Sequence, residues 1–161
     1  IGRLAVNSNN LDSLLLLTTQ NFNSINHHLQ SQDRANLSVL LLIGGWIEAI
    51  DITCQVANKD LSNKQLQDAI GSQKITLEQI MLLLSFYEND QSIGSLIGDF
   101  QELKSAFDKI NITYTYGAST MEIVDGVAVI KDNSTTTILV TQADIREISD
   151  KTSQIRNKII S

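Results

Sequence analysis

The chain has 161 residues, of which 42% are apolar, and its formal net charge is −6. One domain is the default for this length, and the apolar content is enough for a substantial core. An acidic chain repels phosphate backbones and anionic lipid surfaces, which argues against nucleic acid as a partner. The chain contains no proline. Because proline breaks helix interiors, its absence favours long uninterrupted helices.

The start of the chain and its apolar runs bear on the membrane. The chain begins at Ile1 rather than at methionine, so we expect a mature form or part of a longer chain, with room upstream for a signal peptide or a lipid anchor. The longest apolar run, Val39 to Ile47, ends at Glu48 and is shorter than the ~20 residues that span a bilayer. We therefore expect no transmembrane segment.

Helical spacing of apolar residues begins early in the chain. Residues 1–6 are compatible with a short helix of their own. A first long segment, about residues 11–30, repeats apolar residues every three or four positions, which predicts a helix. A second segment, about residues 33–57, is the most apolar. It becomes two-faced after Glu48, which shares one side with Gly44, Asp51 and Gln55.

The next two segments are also helical by the same criterion. For residues 62–88, Gly71 fits a helix C-terminus, and both Ser62 to Gln65 and Thr76 to Gln79 fit the capping-box pattern. These signals predict two helices with a break near residues 71–74. Residues 92–110 form one further predicted helix.

The pattern then changes from helical to strand-like. Ile112 to Tyr116 alternates, and residues 127–130 and 135–140 are β-branched runs separated by Lys131 to Ser134. These features predict a small β-hairpin at about residues 112–140, and Thr141 to Asp144 then starts a last helix. The predicted fold is mainly α. It is a single domain, 1–161, built as a helical bundle of five or six helices with a small β-hairpin before the C-terminal helix.

The string Gly44 to Glu48 is the most distinctive candidate site. Two glycines inside a helix cost about 1 kcal/mol each relative to alanine, so something should offset that cost. Close helix packing with Trp46 as a core anchor is the simpler interpretation, and room for a ligand or partner beside Trp46 is the alternative.

Glu48 and Asp51 share a helical face, where paired carboxylates can act as acid and base or bind a cation. A solvated face or a hydrogen-bonded contact to a neighbouring helix is the simpler interpretation of this pair. The predicted ligand-binding residues are Gly44, Gly45, Trp46, Glu48 and Asp51.

Other residues of potentially functional type lack the neighbouring residues that a metal site or a catalytic site requires. Neighbouring His27 and His28 point about 100° apart on a helix, which is poor geometry for chelating one metal ion. Cys54 lies on the apolar stripe and is expected to be a structural thiol. Gly94 and Gly98 have the spacing that usually marks close helix approach. We predict no catalytic residues, no metal site and no cofactor.

Gly44 to Glu48 in an apolar helix, the threonine-rich hairpin leading to Thr141, and the closing residues Ile155 to Ile160 together resemble a group of helical-bundle lipoproteins from Bacteroidetes. These are cell-envelope proteins of unassigned function. The resemblance implies an envelope location, periplasmic or outer-membrane-anchored through an upstream lipid anchor, and it supplies no catalytic residues. A cytoplasmic location is the alternative.

Three functions remain open from the sequence. The first is a non-enzymatic envelope protein that acts by binding or scaffolding, with a protein partner. The second is a small-molecule binding module that holds an apolar ligand between helices near Trp46. The third is an enzyme that uses the carboxylates of the second segment.

Overall fold

The computed structural model describes residues 11–124 and 127–160. The short helix expected at residues 1–6 lies outside this range. Within it the fold is mainly α with a small β region before the C-terminal helix, which confirms the predicted class. The helices are α1 (Leu11–Ser31), α2 (Ala35–Ala57), α3 (Lys64–Ser85), α4 (Gln91–Phe107) and α5 (Gln142–Ile160). Between α4 and α5 lie the strands β1 (Asn111–Thr115), β2 (Thr120–Val124), β3 (Val127–Lys131) and β4 (Thr135–Leu139).

The chain divides into two compact units, and the boundary falls inside α2 between Gly45 and Trp46. The first unit contains α1 and the beginning of α2. At the end of α1 the Arg34 N–H donates to the carbonyl of Leu29 at 2.9 Å, and Asp33 adopts a positive φ of 55°. This backbone path is a common way to end a helix. Aspartate tolerates it better than most residues because its short side chain can hydrogen-bond locally.

The second unit contains the rest of α2, the other helices and the strands. In it α4 packs against both α3 and α5. The apolar stripe predicted for residues 92–110 is buried in this unit. The largest fully buried side chains of the second unit are Ile47, Ile70, Leu77, Leu84, Ile93, Phe100, Leu103, Phe107, Ile110, Ile145 and Ile148.

Polar caps fix where α4 and α5 begin. The Asp90 carboxylate accepts the N–H groups of Ser92 at 2.9 Å and Ile93 at 3.1 Å, which start α4. Thr141 and Asp144 cap α5 reciprocally: the Asp144 N–H donates to the Thr141 hydroxyl at 3.1 Å, and the Thr141 N–H donates to the Asp144 carboxylate at 2.8 Å. Each pair satisfies backbone donors that the first helical turn leaves without partners. The predicted start of the last helix is confirmed.

The break predicted near residues 71–74 is wrong, because α3 runs without interruption from Lys64 to Ser85. Gly71 is buried in the middle of this helix. A Cβ placed on it would lie 2.5 Å from the Ile138 Cγ2 and 2.7 Å from the Val140 Cγ2. Gly71 therefore serves the close approach of the chain at the end of β4. The capping box predicted from Thr76 is likewise wrong, since Thr76 lies inside the helix.

The β region consists of two antiparallel ribbons, one nested inside the other. β1 pairs with β4, from Asn111 opposite Leu139 to Thr115 opposite Thr135. β2 pairs with β3, from Thr120 opposite Lys131 to Val124 opposite Val127. The segment at 131–134 was expected to separate two strands of one hairpin. It instead joins two strands, β3 and β4, that pair with different partners.

Side chains from α3 hold the β1–β4 ribbon at its base. Lys64 Nζ donates to the carbonyl of Ile138 at 2.6 Å, and Lys74 Nζ donates to the carbonyl of Ile110 at 2.8 Å. The two ribbons meet at Gly117, where a Cβ would lie 2.2 Å from the backbone oxygen of Asn133. Only glycine fits this crossing, which separates the β1–β4 ribbon from the β2–β3 ribbon.

By length and composition α2 is the one helix of residues 11–124 and 127–160 that is apolar enough to cross a membrane, with a mean hydropathy of 1.8 over its best window. A third of that window, 33%, is buried inside the structure. From Ile47 onwards, α2 contributes Ile50, Cys54 and Ala57 to the buried core. The described residues therefore contain no clear membrane span.

We expect Gly71→Ala to lower the free energy of unfolding. The added methyl group overpacks against Ile138 and Val140, which costs about 1–3 kcal/mol, more than the ~1 kcal/mol that alanine gains in helix propensity. Gly98→Ala is the matched control, because Gly98 is exposed in α4 and a Cβ there would meet no described atom within 4 Å. Urea denaturation followed by circular dichroism measures both. A Gly71→Ala variant as stable as the Gly98→Ala variant contradicts the close contact.

Candidate functional site

The predicted site residues fall in both units, with Gly44 and Gly45 in the first. A Cβ at either glycine would meet no atom of the described residues within 4 Å. No described residue therefore packs closely against these two glycines, and the interpretation as close helix packing stays a prediction. Gly98 is equally open, and a Cβ at Gly94 would meet the Glu88 carbonyl oxygen at 2.8 Å. Gly94 therefore makes room for the tight turn that precedes α4, and no described atom approaches Gly98 closely.

Trp46 lies in the second unit and is half-buried. Its indole N–H donates to the Gln73 Oε1 of α3 at 3.0 Å, and its ring centroid lies 6.3 Å from that of Phe100 in α4. A buried indole usually needs a partner for its N–H, and aromatic pairs at this distance stabilise packing. The indole N–H and the ring of Trp46 thus both contact residues of the second unit, as expected of a core anchor.

Glu48 and Asp51 face α5. Arg156 Nε donates to the Glu48 Oε2 at 2.5 Å, and a second guanidinium nitrogen donates to the Oε1 at 3.2 Å. The Asp51 carboxylate accepts the Ser153 hydroxyl at 2.6 Å on one oxygen and the Gln55 amide at 2.6 Å on the other. The side chain of Asp51 is only 3% exposed, against 44% for Glu48.

These contacts belong to a ladder between the C-terminal part of α2 and α5. Asn58 donates to the Ser149 hydroxyl at 3.0 Å, Asp51 binds Ser153, and Glu48 binds Arg156. Residues further along α5 bond to residues earlier in α2, so the two helices run antiparallel here. The hydrogen-bonded contact to a neighbouring helix is the interpretation that the geometry supports for this carboxylate pair.

The ladder engages both carboxylates in contacts within the protein. Each carboxylate oxygen of Glu48 and Asp51 accepts one hydrogen bond, from Arg156, Ser153 or Gln55. Hydrogen bonding to Glu48 raises the pKa of the Arg156 guanidinium, so this partner stays charged wherever the protein is folded. The arrangement is suited to holding α2 on α5.

The remaining candidate residues are one buried thiol and two exposed imidazoles. Burial, and secondarily the negative charge of Asp51, raises the pKa of the Cys54 thiol to about 12, so the reactive thiolate is scarce at neutral pH. Cys54 is fully buried, as predicted for a structural thiol. His27 and His28 are both exposed on α1. Among the described residues, no three histidine, cysteine or acidic side chains converge as a metal site would require.

The surface that sequence reasoning missed is the β2–β3 ribbon. Met121, Ile123 and Ile130 are 70–76% exposed. Three valines of the ribbon, at positions 124, 127 and 129, are 44–64% exposed. A strand with one wet face alternates apolar and polar residues, and Val127 to Ile130 does not. The absence of this alternation was the sequence signal from which the exposed apolar ribbon could have been predicted.

Register places these side chains on two faces. Residues opposite each other in an antiparallel pair share a face, and so do alternate residues of one strand. One face therefore carries Met121, Ile123, Ala128 and Ile130, with no charge. The other face carries the three valines together with Glu122 and Lys131. Within the described part of the chain, neither strand has a second neighbour, so each keeps an unpaired outer edge.

Comparison with known proteins gives no match: no protein-family model, no curated protein and no solved structure is significantly similar to this chain. The resemblance to envelope lipoproteins therefore stays a prediction. The contacts and exposed surfaces of the described residues are the basis for a functional proposal.

We expect Asp51→Asn to destabilise the protein by about 1–3 kcal/mol, because an amide N–H then faces another donor, Gln55 or Ser153, in a buried position. Glu48→Gln is the matched control on the same helix face, and its exposed pair should contribute less than about 1 kcal/mol. Urea denaturation midpoints compare the two. Equal effects contradict the structural role, and a lost turnover at unchanged stability favours the enzyme hypothesis.

Proposed function

We propose that this chain is a non-enzymatic, envelope-associated helical protein that acts by binding another protein through the β2–β3 ribbon. The observation that carries the proposal is the apolar surface on both faces of that ribbon. Exposed apolar patches of more than a few hundred Å² are rare on monomers, and they mark protein or membrane interaction sites.

Strand physics supports a protein partner for this surface. An isolated two-stranded ribbon is at best marginally stable in water, and a third strand or a covering layer is needed for stability. The outer edges of β2 and β3 offer unpaired N–H and C=O groups to a further strand, as in β-strand addition. The apolar side chains of Ile123 and Ile130 then supply contact area beside the new strand.

The state of the carboxylates supports a non-enzymatic role. The carboxylates of Glu48 and Asp51 are occupied by Arg156, Ser153 and Gln55. Binding does not require free catalytic groups, so the same contacts are compatible with scaffolding. The envelope location rests on the resemblance alone, and cell fractionation tests it: recovery of the protein in the soluble cytoplasmic fraction contradicts this part of the proposal.

Site-specific photo-crosslinking in the cells of origin tests the binding proposal. A photoreactive residue replaces Ile123 in the ribbon, and the control replaces Leu82, which is 62% exposed on α3. We expect one reproducible protein adduct from position 123 and none from position 82. The adduct should be lost on Ile130→Ser, because Ile130 shares the apolar face with Ile123. No adduct, or equal adducts at both positions, contradicts the proposal.

A groove in the first unit favours a second candidate function, the binding of a small apolar ligand. The groove measures about 320 Å³ and is lined by Thr18, Thr19, Phe22, Asn23 and Leu42. Small-molecule sites span about 300–1,000 Å³. The groove is distinct from the ligand site predicted at Gly44 to Asp51.

Native mass spectrometry distinguishes the two ligand sites. Thr18→Trp should fill the groove, whereas Gln20→Trp, exposed on the other side of α1, should not. A bound mass lost only in Thr18→Trp places the ligand in the groove. A bound mass lost only in Gly45→Leu places it at the site predicted from the sequence. A bare mass for the wild-type protein from its own cells contradicts the ligand hypothesis.

A further inference from the structure

We propose that the first unit of the chain binds the surface of a zwitterionic lipid bilayer, without spanning it, through an apolar stripe of α1. The stripe consists of Leu15, Thr18, Phe22 and Ile25, which follow one another at three- or four-residue spacing and so share one side of the helix. It belongs to the first unit, whereas the β2–β3 ribbon belongs to the second. Lipid binding by the stripe is therefore independent of the protein binding proposed for the ribbon.

The stripe is apolar but largely uncovered. Leu15 is 57% exposed and Ile25 is 46% exposed, and none of residues 12–31 is buried. Among residues 12–45 only Val39 and Ile43 are buried. An exposed leucine or isoleucine forgoes the free energy that burial of its side chain supplies. Transfer of the stripe into an apolar environment is consequently favourable.

The first unit is almost free of charge. Residues 13–32 and 35–47 contain no Asp, Glu, Lys or Arg. Residues 1–45 contain two acidic and two basic side chains, so the net charge of −6 is carried by residues 46–161. Moving a charged side chain out of water costs a large free energy. The stripe can enter the boundary between lipid headgroups and acyl chains without that cost.

Backbone hydrogen bonding favours lipid for this surface and protein for the ribbon. In hydrocarbon every backbone N–H and C=O group must find its partner within the protein. α1 runs unbroken from Leu11 to Ser31, so between its ends these groups pair inside the helix. The outer edges of β2 and β3 carry unpaired groups instead, which a further strand satisfies and hydrocarbon does not. The helical surface is therefore the better match to a bilayer.

The groove of the first unit lies in the middle of the stripe. Thr18 and Phe22 line it from α1, and Leu42 lines it from α2. Leu15 and Ile25 lie about one helical turn to either side of these two α1 residues. The apolar surface thus extends from α1 to Leu42, which is itself 44% exposed. A surface formed by two helices offers a bilayer more contact area than the stripe alone.

The other side of α1 indicates which headgroup the surface prefers. Gln20, Ser24 and His27 are exposed there, and residues 11–31 contain no Lys or Arg. Helices that bind anionic lipid surfaces are typically rich in Lys and Arg on their polar face. The acidic second unit is moreover repelled by an anionic surface. A zwitterionic headgroup such as phosphatidylcholine avoids this repulsion.

Flotation of the full chain with phosphatidylcholine vesicles on a density gradient tests the proposal, because aggregated protein does not float. We expect the wild-type chain to float. Leu15→Asp should lower the partition constant about tenfold or more, because a carboxylate replaces an apolar side chain at the lipid boundary. Leu82→Asp is the matched control, since Leu82 is 62% exposed on α3 in the second unit, and it should float like wild type.

Two further variants separate loss of binding from loss of folding. Leu15→Met keeps an apolar side chain and should float like wild type. Ile25→Asp, at the other end of the stripe, should weaken flotation as Leu15→Asp does. Circular dichroism should show the helix content of the wild-type chain in all four variants. Vesicles that also contain anionic phosphatidylglycerol should capture less of the wild-type chain at low salt.

The inference is overturned if the wild-type chain does not float, if Leu15→Asp floats as well as wild type, or if Leu82→Asp weakens flotation equally. Tighter binding to vesicles with phosphatidylglycerol also contradicts it. A chain that does not float but keeps a bound mass in native mass spectrometry retains the small-ligand groove and loses bilayer binding. Photo-crosslinking at position 123 measures the ribbon's partner separately, so failure here leaves the proposed function standing.

Discussion

The buried carboxylate of Asp51 is the constraint on which the second unit depends. A charge almost wholly removed from water is strongly unfavourable unless hydrogen bonds replace its hydration. Ser153 and Gln55 supply those bonds, and Arg156 lies 3.6 Å away as a counter-ion. An apolar contact between α2 and α5 would tolerate sliding by a helical turn. We infer that the polar ladder, with partners that match at only one register, fixes how these helices align.

The same residues show what sequence could and could not predict about the site. The spacing of Glu48 and Asp51 predicts a shared helix face, and the structure places them on one. Whether that face meets water, substrate or another helix depends on α5, about 100 residues further along the chain. Local pattern carries no information about Arg156 as the partner. The partners of Glu48 and Asp51 in α5 are therefore known only from the tertiary structure. The same holds for the finding that no described atom lies near a Cβ placed on Gly44 or Gly45.

The fold class and the long helices follow from sequence because their signals are local. Apolar periodicity gave α4 and α5, and the Thr141–Asp144 cap is readable within four residues. Gly71 shows the limit of this reasoning. A glycine followed by a capping-box pattern favours a helix end locally, yet α3 continues because Ile138 and Val140 pack where a side chain would stand. Tertiary packing overrides propensity, and the contacting residues lie too far along the chain to be foreseen.

Strand pairing shows the same limit and leads to the functional argument. β-Branched runs predict strands, but nothing local states that β4 pairs with β1 across the whole β2–β3 ribbon. Once the register is known, the ribbon is seen to carry large apolar side chains that gain no free energy from burial. A strand in water on both faces gains little from isoleucine over threonine, which forms strands equally well and does not promote aggregation. Ile123 and Ile130 contribute only when another surface covers them, and in the described chain none does. The exposure of these side chains is the observation on which the proposal of a binding surface rests.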